Sequence, residues 1–343
     1  LPHAEIEAFR DAKKRGENPR GATLYVTLEP CSTHGRTPPC SAAIIAAGIK
    51  RVIVGTIDPN PKHAGAGLKI LKRAGVEVIR LDVGRTFRPD GTPGQRITEE
   101  CRTLNESFNH WIVHRTPFVT VKAGMTLDGK IATASGESKW ISSGESRAFA
   151  MQLRRGADAI LVGVNTVLTD DPALTLRTKG RNTEHQRLRR IVLDSMARTP
   201  LGSKVVIDEF AGLTTIVVGK HAPKNRVAAL AKRVTVIVAP RSTKPRAGSD
   251  TPARLDLRWL MKRLGAENVT SLLVEGGGEV HESFLLGGLA QRVAFFYAPK
   301  VLGGRDSRKA VAGEGARRLK DIIDLRNLEW RKVGPDLFLT ALV

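Results

Sequence analysis

The sequence predicts an α/β protein of two domains, residues 1–115 and 116–343, on three observations. Short runs rich in Val, Ile and Leu alternate with helical segments, the pattern of a mostly parallel sheet covered by helices. A chain of 343 residues, 41% hydrophobic, suffices for two cores. His114-Arg-Thr-Pro117 interrupts the pattern where a proline marks a boundary.

In the first domain, the segment after His3 reads as a helix to Lys14, ended by Gly16. The strand Ala22–Leu28 delivers Cys31. Pro38 and Pro39 suit the start of a helix at Cys40, which Gly48 stops. Arg51–Gly55 is a buried strand, Leu68–Ala74 a short helix closed by Gly75, and Val76–Leu81 a further strand. Asp82–Gln95, with Pro and Gly scattered through it, is a loop or linker, and Thr98–His114 is an amphipathic helix.

The stretch Glu29-Pro-Cys-Ser-Thr-His-Gly-Arg-Thr-Pro-Pro-Cys40 places two cysteines at the mouth of a helix, with His3-Ala-Glu5 upstream. A catalytic zinc takes three protein ligands and keeps an open position for water. His3, Cys31 and Cys40 supply the three, and Glu5 is left to move protons. One His and two Cys on the metal, with a non-ligand Glu as acid and base, is the arrangement of zinc deaminases. A thiolate at Cys40 would also meet the positive end of the helix dipole. The alternative is a structural zinc knuckle, or two buried thiols beside a capping His; His-x-Glu and the strand-to-helix context speak against it. His34 and His63 are expected in solvent-facing loops and not on the metal. His34 and Arg36, between the cysteines, lie where a substrate reaches. Asp58-Pro-Asn60-Pro and His63 follow a strand, at the carboxyl end where ligands bind in α/β sheets. Cys101 shares an apolar face with Leu104, Phe108 and Trp111 and is expected to be a buried thiol.

The second domain opens with the strand Phe118–Ala123. Ser142 and Glu145 stand at capping-box spacing before a helix. Strands follow at Ala159–Val164, Arg190–Asp194, Thr215–Val218 and Thr235–Val238, with Pro240–Pro252 a polar connector. Ser271-Leu-Leu-Val-Glu275-Gly-Gly-Gly278 is a strand breaking into glycines before a helix, where backbone amides make a pocket for pyrophosphate. Alone, such glycines are often only a turn.

Composition narrows the partners. No run of about eighteen apolar residues suggests a membrane span, and no signal peptide is visible. Three cysteines, two of them assigned to metal, leave no disulfide framework and fit a reducing cytoplasm. A net charge of +21 attracts nucleic acid, and equally phosphorylated small molecules and a dinucleotide. The basic residues come in short clusters, and only 5% of the chain is aromatic, so stacking platforms for single strands are thin. No nucleic acid and no membrane are expected as partners.

Eight residues separate Cys31 from Cys40, whereas nucleic-acid and simple nucleoside deaminases carry Pro-Cys-x-x-Cys. The longer form, with Gly-Arg-Thr-Pro-Pro before the second Cys, resembles the deaminase half of the bifunctional riboflavin-biosynthesis deaminase/reductase. Val-Lys-x-Gly-x-Thr-Leu-Asp-Gly-Lys, Gly-Glu-Ser-Lys-Trp-Ile, Asp-Asp-Pro-x-Leu-Thr-x-Arg, Val-Glu-Gly-Gly and Ala-Pro-Lys-Val-Leu-Gly-Gly follow in order. This set resembles the reductase half of the same family. The resemblance runs from residue 3 to residue 343. It implies a cytidine-deaminase-like zinc domain, its amino-terminal part missing, followed by a dihydrofolate-reductase-like domain.

The resemblance also implies zinc-dependent removal of the 2-amino group of a diamino-ribosylamino-pyrimidinone 5′-phosphate, then NADPH-dependent reduction of the ribosyl group to ribityl. Carried over by position, NADPH would meet Gly124, Trp140, Thr166, Asp170, Ser195 and the stretch Gly277, Gly278, Glu279, Val280, His281, Glu282 and Ser283. The substrate would meet Ser138, Arg154, Leu174, Arg177 and Glu275, with Arg154 and Arg177 as guanidinium clamps on the phosphate. Asp170 is also a candidate proton donor. A homo-oligomer in the cytoplasm is expected. The sequence begins at Leu1, two residues before the first ligand, whereas a helix and two strands precede this point in the family; deamination is therefore expected to be weakened or absent. The rival readings are a reductase alone, a nucleic-acid deaminase, and a zinc-stabilised binding module. Neither of the last two accounts for the second set of motifs.

Overall fold

The computed structural model describes residues 3–34, 38–61, 63–81, 93–176, 188–242 and 255–343. The chain divides into two compact units, Leu1–Arg115 and Thr116–Val343.

In the first unit, α1 (Ala4–Lys14) follows an extended His3. It carries Glu5 and Glu7 in its first turn and Lys13 and Lys14 in its last, both favourable to the helix dipole. Then come β1 (Thr23–Leu28), α2 (Cys40–Ala46), β2 (Arg51–Thr56), α3 (Ala66–Arg73) and β3 (Glu77–Arg80). Strand and helix alternate, so the three strands pair in parallel in the order β1-β2-β3. Val52 and Val54 of the central strand pack with Ile44 of α2 and Leu68 and Leu71 of α3.

The expected single helix over 98–114 is two, α4 (Pro93–Leu104) and α5 (Glu106–His114). Asn105 lies between them and its Nδ2 donates to the Cys101 carbonyl at 2.8 Å, a side-chain bond that competes with the helical ladder. Leu104 is consequently 72% exposed and does not share the face of Cys101, which is 8% exposed. Cys101 packs on β2, where only a glycine at 55 leaves room for its sulfur. Burial pushes its thiol pKa up, which suits an inert thiol.

The second unit contains β4 (Phe118–Thr126), β5 (Lys130–Ala132), α6 (Gly144–Arg155), β6 (Ala159–Gly163), α7 (Val164–Asp170), β7 (Arg189–Leu193), α8 (Lys204–Ile207) and β8 (Thr214–Gly219). It continues with α9 (Lys224–Ala231), β9 (Thr235–Ala239), α10 (Leu257–Ala266), β10 (Ser271–Val274), α11 (Gly278–Leu285), β11 (Arg292–Ala298), β12 (Arg308–Lys309), β13 (Arg326–Val333) and β14 (Asp336–Leu342). Its main sheet has nine strands in the order β13-β14-β11-β4-β10-β6-β7-β8-β9. Every pairing from β11 to β9 is parallel, and β14 and β13 add an antiparallel edge. Parallel strands covered on both faces need continuous apolar runs, which explains Ala159–Val162 and Leu272–Val274. One face packs Leu260, Leu264 and Phe284 against Val119, Val121 and Val274; the other packs Ile160, Val162, Ile216 and Leu230.

The N-cap of α6 is Ser143, not the expected Ser142. Ser143 Oγ accepts from Ser146 N–H at 3.1 Å, while its own N–H donates to buried Asp336 at 2.8 Å. That second bond fixes where the helix starts, and Asp336 lies 193 residues away.

Gly55→Ala is expected to destabilise the first unit by about 1–3 kcal/mol through overpacking. Adding Cys101→Ala to that variant is expected to restore part of the loss, read by urea unfolding.

Candidate active sites

Three elements bring the first site together. His3 precedes α1, Cys31 follows β1, and Cys40 opens α2. His3 Nδ1 lies 3.2 Å from Cys40 Sγ and 3.6 Å from Cys31 Sγ. One donor atom from each residue falls within 4.8 Å of the others. The Cys40 amide donates to Cys31 Sγ at 3.2 Å and Ser41 N–H donates to the Cys31 carbonyl at 3.1 Å, so the start of α2 fixes the first cysteine.

Electrostatics in this cluster run against the expected helix-dipole effect. Burial, then the charge of Glu5, then Cys31, push the Cys40 thiol pKa upward. Two sulfurs and a carboxylate confined together call for a cation. An imidazole and two thiols at these distances fit zinc, with Glu5 beside the donors and outside the ligand set. His34 and His63 lie outside this group among the described residues, as expected. Arg36 lies outside the described residues.

Glu29 was missed as a site residue, although it directly precedes Pro30-Cys31. Its buried carboxylate accepts from Asp58 N–H at 3.2 Å, Gly65 N–H at 2.8 Å and Gly67 N–H at 2.9 Å. It thereby ties the loop carrying Asp58, Asn60 and His63 to the end of β1. Gly67 is required, because a β-carbon there would run into the Pro30 carbonyl.

In the second unit the central feature is Glu275, immediately after β10. Its carboxylate accepts from Arg154 Nε at 2.7 Å and Nη2 at 2.8 Å, and Lys122 Nζ of β4 stands 3.8 Å away. Burial raises the Glu275 pKa, but Lys122 and Arg154 overcome it and hold the group at about 2. Arg154 Nη1 also donates to the Thr175 carbonyl at 3.2 Å. Three of its five N–H groups are thus engaged, so Arg154 is a partner of Glu275 before it is a phosphate clamp. Lys122 was also missed; Val-Lys-x-Gly carried it in view.

The glycine turn abuts β6. A β-carbon on Gly276 would sit 2.5 Å from Val162 Cα, and Gly277 has φ 68°. Thr166 Oγ1 is 3.8 Å from where a Gly277 β-carbon would be, so these two predicted residues are neighbours. The stretch 277–283 does not act as one surface. His281 and Glu282 are buried by the helical period, and His281 Nδ1 donates to the Ala310 carbonyl at 2.8 Å. Ser283 Oγ donates to the Glu279 carbonyl, the Glu279 carboxylate accepts from Gly313 N–H, and Val280 packs on the core.

Gly124 lies on β4, where a β-carbon would reach Ser142 Oγ at 3.5 Å. Trp140 is 59% exposed beneath the Arg147 guanidinium. Ser138 and Asp170 are half-buried, Asp170 closing α7, and the Ser195 carbonyl accepts from Gly219 N–H at 2.9 Å. Leu174 is buried with φ 53°. Arg177 lies outside the described residues. Asp128 joins two motifs: it accepts from Thr126 Oγ1 at 2.6 Å, Leu302 N–H at 3.0 Å and Gly303 N–H at 2.8 Å, bonds that depress its pKa to about 2.

Together the units define a zinc-dependent deaminase architecture followed by a reductase. Residues 1–56 match the cytidine and deoxycytidylate deaminase zinc-binding region, and residues 117–339 match the RibD C-terminal domain. The riboflavin biosynthesis protein RibD of Aquifex aeolicus (strain VF5) is 41% identical over 336 residues, covering 98% of this chain and 84% of that protein. Acinetobacter baumannii RibD, form 1, has a TM-score of 0.77 at 29% identity, covering 100% of this chain and 85% of that one. A diaminohydroxyphosphoribosylaminopyrimidine deaminase/5-amino-6-(5-phosphoribosylamino)uracil reductase from Thermotoga maritima gives 0.71 at 33% identity, with coverage of 100% and 85%. The chain belongs to the RibD family: it is a bifunctional deaminase and reductase of riboflavin biosynthesis, with zinc and NADPH as cofactors.

Acid should unsettle the second unit in two windows. Burial lowers His281 from 6.5 to about 4, and Glu275 falls from 4.5 to about 2. Both pKa values are depressed on folding, so each contribution is complete above the unfolded value and lost as pH falls through the folded one. Urea unfolding between pH 7 and pH 2 should show His281→Gln flattening the upper window and Glu275→Gln the lower.

Proposed function

We propose that the two activities are divided between the two units, residues 1–115 and 116–343. The first removes the 2-amino group of 2,5-diamino-6-ribosylamino-4(3H)-pyrimidinone 5′-phosphate. The second reduces the ribosyl side chain of 5-amino-6-(5-phosphoribosylamino)uracil to ribityl. The observation that carries the first assignment is the convergence of His3, Cys31 and Cys40 within 4.8 Å, with Glu5 acting on Cys40 from outside the donor set.

His3, Cys31 and Cys40 hold the zinc, which when bound activates a water for attack on the ring carbon bearing the amine. Glu5 would take one proton of that water and pass it to the ring nitrogen, then take the second from the new hydroxyl and pass it to the amine, which leaves as ammonia. Glu29 keeps the Asp58–Gly67 loop against the end of β1, where Cys31 is carried.

In the second unit NADPH supplies the hydride and the protein supplies position. Gly124, Trp140, Thr166, Asp170, Ser195 and the turn at Gly277 and Gly278 line the cofactor. Ser138, Leu174 and the Arg154–Glu275 pair meet the sugar phosphate. Arg154 holds Glu275 ionised, which leaves the phosphate to its remaining N–H groups and to Arg177. Asp170 remains the candidate proton donor.

The partners are phosphorylated pyrimidines and not nucleic acid, since the basic residues come in short clusters with few aromatics between them. Among the described residues no helix is long and apolar enough to cross a membrane. Three cysteines, two of them assigned to zinc and none in a disulfide, support a cytoplasmic location. Leu328 and Trp330, exposed on edge strand β13, support a homo-oligomer.

Supplied with the diamino-pyrimidinone phosphate, the enzyme should release ammonia without NADPH and form the ribityl product only with it. Release of no ammonia from this substrate, together with no ribityl product from 5-amino-6-(5-phosphoribosylamino)uracil and NADPH, sinks the assignment. Cys31→Ser and Cys40→Ser should lose zinc by metal analysis, and Cys101→Ser should keep it. Glu5→Gln should keep zinc and lose deamination by roughly 10²–10⁴-fold while reduction continues. Single-stranded nucleic acid at physiological salt should not inhibit deamination; strong inhibition would favour a nucleic-acid substrate.

A further inference from the structure

Leu174 is buried, yet its backbone lies at φ 53°, a region that side-chain-bearing residues avoid. Such a conformation persists only where the surroundings over-determine it. Here the carbonyls on both sides are taken by guanidinium groups. Ala173 O accepts from Arg190 Nη1 at 2.9 Å, and Thr175 O accepts from Arg154 Nη1 at 3.2 Å. Asp171, also at positive φ, is anchored separately by the Lys204 amide at 2.9 Å.

Arg190 was not among the expected site residues. It projects from β7, is wholly buried, and has partners on every nitrogen. Nε donates to Thr214 Oγ1 at 2.9 Å, the two Nη atoms grip Asp208 at 2.6 and 2.7 Å, and Nη2 also reaches the Val205 carbonyl at 3.3 Å. A buried ion pair is a costly way to fill a core, and apolar residues of similar volume often serve stability as well. Its bond to Ala173 distinguishes it from filling. A chain of contacts runs Asp208–Arg190–Ala173 carbonyl–Leu174–Thr175 carbonyl–Arg154–Glu275.

We propose that Arg190, seated by Asp208, is a positioning residue of the reductase: it sets the backbone of Leu174 and, through Thr175, the seat of Arg154 and Glu275. The inference rests on the reading of that cluster as the sugar-phosphate site. Arg190 touches neither reacting group. It acts through the segment that does.

The test uses full-length, zinc-loaded enzyme carrying Arg190→Lys. Lysine keeps the charge but cannot both fork onto Asp208 and reach Ala173. KM for 5-amino-6-(5-phosphoribosylamino)uracil is expected to rise roughly tenfold or more, as misplacement of a site segment by a fraction of an ångström does. The Kd of NADPH, followed by its fluorescence, should stay within about twofold of wild type, as should kcat/KM for deamination. Asp208→Asn should move the same constants in the same direction. An unchanged KM for the sugar phosphate overturns the proposal, and so does an equal loss of affinity for NADPH. If neither variant unfolds cooperatively, the pair belongs to the fold and the proposal fails. A wild-type enzyme without reductase activity would count against the site reading instead.

Discussion

Glu275 is a carboxylate buried at the carboxyl end of a central strand, a position tolerated only because Arg154 and Lys122 bring positive charge to it. That compensation organises the second unit. β10 sits between β4 and β6, so Lys122 arrives from one neighbouring strand while Arg154 arrives from α6. Removing Arg154 would leave the buried charge with Lys122 alone at 3.8 Å, and much of its desolvation penalty uncompensated. The same carboxylate therefore serves stability and presents an oriented, ionised group beside the glycine turn.

The first unit shows the complementary situation. Cys31, Cys40 and Glu5 bring two thiols and a carboxylate together, and among the described residues no Lys or Arg is paired with them. In the reductase cluster the charge balance is internal. In the deaminase cluster the proposed zinc would complete it. Backbone amides also knit a loop to a carboxylate in each unit: Glu29 accepts three of them beside Cys31, and Asp128 accepts two from the 302–303 loop in the second unit. Carboxylates with strand-end positions thus recur as organisers of loops in both units.

The order of elements, the grouping of His3, Cys31 and Cys40 and the motif order were legible in the sequence because each depends on neighbours along the chain. Gly16, Gly48 and Gly75 stop helices through their own positive φ, and Cys40 follows two prolines that suit a helix start. Alternation of strand and helix implies parallel pairing without knowledge of any contact. Glu5, two residues from His3, follows that side chain into place because one helical turn carries it there.

Other features required the folded chain. Arg154 and Glu275 are 121 residues apart, and nothing along the sequence distinguishes that pairing from a phosphate clamp. Asp336, from the last strand, decides that Ser143 and not Ser142 caps α6. Asn105 breaks a pattern that periodicity alone reads as one helix. The inward turn of His281 and the strained backbone of Leu174 arise from packing against residues 310 and 190. The sequence determined which chemistry this protein carries, since donors and motifs are local; the tertiary structure decided which charges meet, because strand order, not chain order, sets the neighbours of a buried group.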